Sequence, residues 1–444
     1  MTPVSRELTV GIDIGTTSVK AIAADGDGNV VARARIPHGL SFPAPGRMEH
    51  DAGQAWRRGP RRALAALAQP EARAVCVAAM VPSMTAVDRR GIPRAPGLLY
   101  GDERGRTGSA ASPATSGEAL QFLKWLAKEQ PEARGFWPAQ AVANCALSGE
   151  GALDTASAYT THPLFTGLEW DATLLAEAGV RAEQLPRTAN MEEAVGKVGD
   201  ALLAAGTVDA LGEQVVSGAN DNGDVLVILG TTLIVWAVTD EWREVPGLWT
   251  IPYTAPGKTV IGGASNAGGL FLNWAGALVA RARGGHGLDP GRIPVWLPYP
   301  RGERTPFHDP DRRASLHDLD LTHDAAAVRR AAFEASGFVA RHHLDLANTS
   351  PRRIVATGGG VRVPEWVQSL ADCTGLPVDV VAVPEGGALG AAFVARVTAG
   401  LETTMNDAAR WARTSHRVEP DPTWAAAAAE RYARFRGLAD GGAP

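Results

Sequence analysis

Cysteine is scarce in this chain. Its 444 residues hold three, Cys76, Cys145 and Cys373, set far apart and without metal-binding spacing. Neither a disulfide framework nor a thiolate metal site is expected, and the thiols read as reduced and structural. The ten histidines form no HExxH pattern, and the pair His342 and His343 falls in a helical stretch where it reads as a solvated face. Positive charge is not in excess. The formal net charge is -5, which removes the electrostatic case for nucleic-acid binding. No apolar run is long enough to cross a bilayer and the opening MTPVSREL lacks a signal-peptide core, so a cytoplasmic protein with no membrane contact is expected. A Walker A pattern and a GxGxxG after a strand are missing too, which disfavours the P-loop and dinucleotide-binding folds. What is left is ordinary globular material, 45% hydrophobic and 20% charged, long enough for two or more domains with sizeable cores.

The patterning that is present begins with strands. LTVGIDIG alternates small and aliphatic residues, TTSVKAIAAD continues extended, GDGN at 26–29 is a turn and VVARARI is the return strand. The chain thus opens on a hairpin that contains a Gly-Thr-Thr bend. A helix over DAGQAWRRGPRRALAALA, a strand at AVCVAAM and a Ser/Ala/Thr/Gly-rich flexible loop over 105–117 follow. Helices are expected from about 117 to 150 and near 170–206. A second unit starts at 224 with the buried strand DVLVILG, followed by TTLIVWAV and KTVIGG. Helices then cover AGGLFLNWAGALVARA, AAAVRRAAFEASGFVARHHLDLA, PEWVQSLADCTG and EGGALGAAFVARVTAG, and the end of the chain reads as a terminal helix with a loose tail.

One internal repeat organises all of this. IGTTSVKAIAAD at 14–25 resembles LGTTLIVWAVTD at 229–240, which predicts two similar α/β domains facing each other across a cleft. A Gly-Thr-Thr bend brings backbone amides and two hydroxyls to one point, and successive amides make an anion-binding concavity. Two such bends suit a polyphosphate. Asp13, two residues before the first bend, suits Mg²⁺, which keeps most of its waters and bridges protein to phosphate oxygens. Lys20 adds positive charge. The glycine cluster in ATGGGVRVPEW leaves bare backbone on which a flat ring such as adenine can lie.

These strings, taken in order, resemble the FGGY carbohydrate kinases, especially the xylulokinase-like branch. GIDIGTTSVKAIAADGDGNVVA looks like the first phosphate motif, GRMEHDAGQAW like the EQDP…W segment, and DRRGIPRAPGLLYGDERG like the segment ending in W-N-D-x-R. VLVILGTT looks like the second phosphate motif, WLPYPRGERTPFHDPDRRA is a specific match, and IVATGGGVRVPEWVQSLADCTGLPV…EGGALGAAF resembles the adenosine motif. The match spans about 1–430. It implies an α/β two-domain fold of the actin/hexokinase/Hsp70 type, ribonuclease H-like, with an ATP cleft between domains. A sugar-binding domain would span 1–223, a nucleotide-binding domain 224–428 and a tail 429–444. It further implies ATP and Mg²⁺ as cofactors and a small-molecule sugar as substrate, and it allows for a homodimer.

Carried over residue by residue, the resemblance assigns Asp221 as the base that takes the proton of the attacking sugar hydroxyl, and Asp13 as the metal-associated aspartate. Thr16, Thr17 and Ser18, with Lys20, fall at the first phosphate turn, and Gly230, Thr231 and Thr232 at the second. Gly269 and Asn273 lie near the nucleotide, and Gly359 and Gly360 at the adenosine turn. Ser83, Asp102 and Asn222 fall at sugar-contacting positions. Pro82 stands where xylulokinases usually carry a histidine, which puts xylulose itself in doubt.

A second departure lies in SGANDNGDVLVILGTT. The family pattern is Asp-Asn, a small-residue helix of about ten residues or 15 Å, then Gly-Asp and a strand. Here Asn222 runs directly into Gly223 and Asp224, so that helix is expected to be absent. Three explanations stay open: residues missing from the chain, a locally rebuilt site, or a degenerate member that binds without transfer. An ATPase sharing only the nucleotide half with actin or Hsp70 is opposed by PYPRGERTPFHDP and YGDERG, which match sugar kinases.

Overall fold

The structure, a computed structural model, describes residues 7–105, 117–167, 169–279 and 288–441. The flexible loop expected over 105–117 lies almost wholly outside them. The chain divides into two compact units, one of residues 1–216 with 385–411 and the other of 217–384 with 412–444.

The first unit is built on a sheet of β1 (Thr9–Ile14), β2 (Ser18–Ala24), β3 (Val30–Pro37), β4 (Ala74–Ala79), β5 (Ala194–Val198), β6 (Ala201–Ala204) and the short β7 (Thr207–Val208). The order is β5-β6-β4-β1-β2-β3, with β7 paired to the end of β4. β1, β2 and β3 run antiparallel, while β4 lies parallel to β1. Every residue of β1 is buried, as a central strand covered on both faces requires. Alternate residues then serve opposite sides. Val10, Ile12 and Ile14 pack with α1 (Gly59–Leu67) and α2 (Ala139–Ser148). Gly11 and Asp13 therefore point the other way. β7 leads straight into α3 (Asp209–Ser217). The stretch near 170–206, expected helical, holds one short α-helix, Ala172–Glu177, a 3-10 turn, Ala182–Gln184, and then strands. VGKV and ALLA are too short for a helix, and their apolar residues pair into the sheet instead.

The second unit repeats the plan. β8 (Asp224–Leu229), β9 (Leu233–Thr239), β10 (Trp249–Pro252) and β11 (Thr259–Ser265) are followed by α4 (Gly269–Leu278), α5 (Ala325–Ala347), β12 (Arg353–Thr357), α6 (Pro364–Thr374) and β13 (Val378–Val381). Its strands run β10-β11-β9-β8-β12-β13-β14, where β14 is Thr414–Val418. β8 and β9 are antiparallel and β12 is parallel to β8, as in the first sheet. Between β13 and β14 the chain supplies α7 (Gly386–Thr398) to the first unit, where Ala391, Val394 and Ala395 pack on Ala74, Cys76 and Ala78 of β4. The expected boundary that kept all of 224–428 in one domain differs here, because α7's small residues match the small-residue face of β4. At the end of the chain the expected terminal helix extends into the stretch 429–444 given to the tail. α8 (Pro422–Ala439) runs through most of it and buries Phe435 and Tyr432 against Phe338 of α5.

His342 and His343 are a correction. Both are buried, not solvated. His343 bridges the Val339 carbonyl, 2.8 Å away, and the Thr305 hydroxyl, 2.8 Å away. Burial holds both neutral, pushing His342 down to about 3 and His343 to about 4.

Candidate active site

In the first unit the chemistry gathers on the face of β1 that carries Gly11 and Asp13. A Cβ on Gly11 would stand 1.8 Å from the Ala388 carbonyl oxygen, so only glycine lets α7 lie this close to β1. The start of α7 is thereby brought to Asp13, and a Cβ on Gly387 would come within 3.2 Å of the Asp13 carboxyl carbon. α3 joins at the same point, since a Cβ on Gly390 would meet the Gly212 carbonyl oxygen at 2.2 Å.

Asp13 is buried, with one carboxylate oxygen 3.2 Å from the Lys20 ammonium and the other, Oδ1, buried with no hydrogen-bond partner. The two residues are direct cross-strand partners in the β1–β2 register. Asp13 pushes the Lys20 pKa up, with Glu213 of α3 and Glu385 adding to it against the opposing cost of burial. Asp209, the first residue of α3, accepts the Ala210 amide at 2.7 Å. Burial and then the charge of Asp13 push its carboxyl up to about 7, while Lys20 pulls the other way. The result is a carboxyl with a raised pKa at the start of α3, in the electrostatic reach of Asp13 and Lys20, as a proton acceptor would be.

Asp209 carries no expectation from the sequence, yet its signal is legible in retrospect. An aspartate, a helix, then Gly-Asp and a strand is the order the family resemblance demands. Asp209, the nine-residue α3 that it opens, the loop 218–222, Gly223-Asp224 and β8 follow one another in that order. No helix stands between Asn222 and Gly223, as expected, and the helix nearest to this loop is α3, upstream of it. Asp221-Asn222 lies in the loop after that helix, between Ser217 and Gly223. Asp221 itself is exposed and belongs to the second unit, with its amide 3.2 Å from an Asp224 carboxylate oxygen. The loop is fixed by arginines. Arg353 grips both Asp224 oxygens at 2.9 Å and the Gly218 carbonyl at 3.1 Å, while Arg352 donates to the Asn222 carbonyl at 2.6 Å. Asn222 is exposed, its side chain used by Asp240 at 2.6 Å and Lys258 at 2.9 Å.

The expected sugar residues thus divide. Pro82, Ser83 and Asp102 lie in the first unit and Asn222 in the second. Pro82 follows a cis peptide bond, and Ser83 Oγ accepts the Ala139 amide at 3.1 Å, so Ser83 secures the start of α2. Asp102 is fully buried. It accepts the Met48 amide at 2.6 Å and two guanidinium nitrogens of Arg104 at 2.8 and 2.7 Å. Arg104 in turn pairs with Glu49 at 2.7 Å and lies over the Trp125 ring.

The first phosphate turn closes with the Gly15 amide on the Ser18 carbonyl at 3.1 Å. Thr17 is exposed, and the Ser18 hydroxyl accepts from Arg35 at 3.2 Å. The second turn closes similarly, the Gly230 amide on the Thr232 carbonyl at 3.1 Å. Here α4 abuts the turn: the Gly269 amide donates to Gly230 at 2.8 Å and the Leu270 amide to Thr231 at 3.0 Å. Asn273, one turn further along α4, is exposed. After β12, Gly358 takes φ 87°, open to glycine, and Gly360 lies where a Cβ would enter the Trp366 ring at 2.3 Å. Gly359 is exposed, and a Cβ there would meet nothing within 4 Å. The segment YPRGERTP is held by Glu303, which accepts from Ser265 at 2.6 Å, Asn266 at 2.8 Å and Arg304 at 2.7 Å. Among the described residues, no cluster of three or more His, Cys, Asp or Glu is arranged to hold a metal ion.

Each unit is a five-stranded ribonuclease H-like core with added edge strands, and their pairing in one chain is the fold of the actin, hexokinase and Hsp70 class. Comparison with known proteins narrows the class. Residues 8–107 match the N-terminal domain and residues 225–399 the C-terminal domain of the FGGY family of carbohydrate kinases, and the chain belongs to that family. It is an ATP-dependent sugar kinase. Xylulose kinase of Streptomyces coelicolor is 30% identical over 93% of this chain and 92% of its own length. Glycerol kinase of Allorhizobium ampelinum is 27% identical over 93% of this chain and 94% of its own. Among solved structures, xylulose kinase from Rhodospirillum rubrum covers 98% of both chains at 26% identity with a TM-score of 0.76. No helix among the described residues is long and apolar enough to cross a membrane.

Proposed function

We propose that this enzyme transfers the γ-phosphate of ATP to a hydroxyl of a small sugar or polyol of the xylulose-like class, with Asp209 as the proton acceptor. The observation that carries this is Asp209 itself: a carboxyl at the start of α3, beside Asp13, pushed up to about 7. Phosphoryl transfer asks the protein mainly for positioning and charge stabilisation, so one well-placed base and one cation suffice. The unpartnered Oδ1 of Asp13 fits a role beside Mg²⁺, because a buried carboxylate oxygen without a donor is costly unless something positive or hydrogen-bonding meets it. Bound with ATP, Mg²⁺ would neutralise phosphate charge. The amides of the Gly15–Ser18 and Gly230–Thr232 turns are the proposed phosphate contacts, and Gly358–Gly360 the adenosine turn. The sugar segment is that of Pro82 and Asp102. The xylulose, glycerol and gluconate kinases among the relatives support a polyhydroxy substrate and do not single one out. Pro82 and Ala210 both stand where the family pattern has hydrogen-bonding side chains, which favours a substrate with fewer polar demands than xylulose.

The test is a coupled ADP-release assay on a panel of ketopentoses, pentitols and aldonates. Sugar-dependent turnover lost in Asp209→Asn and kept in Asp221→Ala supports the assignment. Turnover lost in Asp221→Ala and kept in Asp209→Asn returns the role to Asp221. ATP binding without turnover on any sugar marks a non-catalytic member.

A further inference from the structure

The first phosphate turn is held by side chains that the reading above leaves without a role, and these come from the same segments that carry Asp102. The Thr16 hydroxyl lies 2.7 Å from the Tyr100 hydroxyl. Its carbonyl lies 2.7 Å from His50 Nε2. Tyr100 directly follows the strand Gly97–Leu99, and His50 ends the strand Glu49–His50 that pairs with it. Asp102 is two residues beyond Tyr100 and accepts the amide of Met48, two residues before His50. Arg104 closes the same connection through Glu49. Two short arms therefore run from the Asp102 segment to one residue of the phosphate turn.

The histidine arm has a fixed polarity. The Trp56 indole nitrogen lies 2.9 Å from His50 Nδ1, and an indole N–H can only donate. Nδ1 must therefore be the acceptor, Nε2 carries the hydrogen, and it donates to the Thr16 carbonyl. His50 and Trp56 are buried, and a Cβ on Gly97 would meet the Trp56 ring at 2.3 Å, so the indole is seated where only glycine leaves room. His38 packs edge-on against His50 at 4.6 Å and donates its amide to the Thr17 carbonyl at 3.1 Å. With the Thr16 hydroxyl and carbonyl both engaged, the turn offers incoming phosphate its amides and the exposed Thr17 hydroxyl.

We propose that His50 and Tyr100 are positioning residues that set the first phosphate turn from the segment bearing Asp102, so that the state of the sugar site is imposed on the phosphate contacts. This rests on the kinase reading above. A 1 Å displacement of a group that orients phosphate is worth about 100-fold in rate.

The test compares His50→Ala, His50→Gln and Tyr100→Phe in the full-length protein with its best sugar. Turnover number should fall roughly 10- to 100-fold in His50→Ala and about 3- to 10-fold in Tyr100→Phe, with KM for the sugar within about threefold of wild type. His50→Gln, whose amide keeps a donor for the Thr16 carbonyl, should recover much of the loss. A merely structural role would give no such rescue and no split between turnover and KM. Variants that fold and turn over like wild type, or a glutamine no better than alanine, overturn the inference. Long-range ¹H–¹⁵N NMR of ¹⁵N-histidine-labelled protein tests it without turnover. An Nε2–H tautomer at His50 supports it and an Nδ1–H tautomer overturns it, even if no sugar is phosphorylated and the kinase reading itself falls.

Discussion

Asp13 faces Lys20 across the first Gly-Thr-Thr hairpin, whereas the equivalent pair in the second is Ile228 and Ile234. The two hairpins share strand order, a glycine amide closing onto a hydroxyl residue's carbonyl, and fully buried leading strands. They differ in what secures the turn. The first is one residue longer and is fastened mainly by side chains, Tyr100, His50 and Arg35, with the His38 amide on the Thr17 carbonyl beside them. The second is fastened by backbone, the opening amides of α4. A repeated fold has thus kept its geometry in both copies and placed its titratable chemistry in one. The difference separates what the fold needs from what the reaction needs.

The sharpest way to break that division is at Asp209. Asp209→Asn keeps the shape and removes the base, so turnover should fall by about 10²–10⁴-fold. Asp221→Ala, in an exposed loop of the second unit, should leave turnover within about twofold. Steady-state ADP release on purified variants measures both. Next comes a transplant of the second hairpin's pair into the first, Asp13→Ile with Lys20→Ile. Replacing a buried ion pair by packed apolar residues is often neutral or stabilising by about 1–4 kcal/mol, and Lys20 being a quarter exposed puts this case at the low end. Urea unfolding should therefore show stability kept while turnover is lost by at least about 100-fold. Loss of folding instead would mean the charged pair is needed by the architecture.

The second hairpin has its own weak point. A Cβ at Gly268 would stand 2.3 Å from the Thr232 carbonyl carbon and 2.5 Å from the Leu233 nitrogen, all backbone. Gly268→Ala must push α4 off the turn, so about 1–3 kcal/mol of stability should be lost, with ATP affinity falling alongside. Calorimetric titration of ATP measures the second effect. Unchanged affinity would show that the α4 amides are not what shapes that turn.

Much of this is legible in the amino-acid order alone. The two hairpins, the glycine clusters and the long helices follow from period-2 and period-3.6 patterning, and the Gly-Thr-Thr repeat points to the two matching sheets. The misses share a physical cause, which is tertiary context. EGGALGAAFVARVTAG reads as a helix, but nothing local says that its small residues fit the small face of β4, far away in sequence and in the same unit. The stretch near 170–206 carries apolar residues that a lone sequence cannot assign to strand or helix when each run is only three to five residues long. His342 and His343 look polar, yet burial holds them neutral. Asp209, the base proposed above, is passed over because Asp221-Asn222, twelve positions later, carries the letters of the pattern and Asp209-Ala210 does not. Spacing to the strand, not the letters, finds it.

Each unit also holds a carboxyl pushed up to about 7, and the contrast between the two predicts the smallest effect. Glu303 in the second unit, like Asp209 in the first, is pushed up to about 7, chiefly by burial. Its surroundings are different. Glu303 accepts from Ser265, Asn266 and Arg304 and ties a loop to the end of β11, so its role is structural. A carboxyl whose pKa rises from 4.5 to about 7 on folding binds more protons when folded across that interval, so stability is greatest below 4.5 and declines as pH rises toward 7. Glu303→Gln cannot ionise and should flatten that slope by roughly 1–2 kcal/mol, leaving the variant gaining on wild type as pH rises from 5 to 8. Urea midpoints at pH 5, 6.5 and 8 measure it. A wild-type slope that survives in Glu303→Gln would assign the titration elsewhere, and equal slopes with lost turnover would move Glu303 from the architecture to the chemistry.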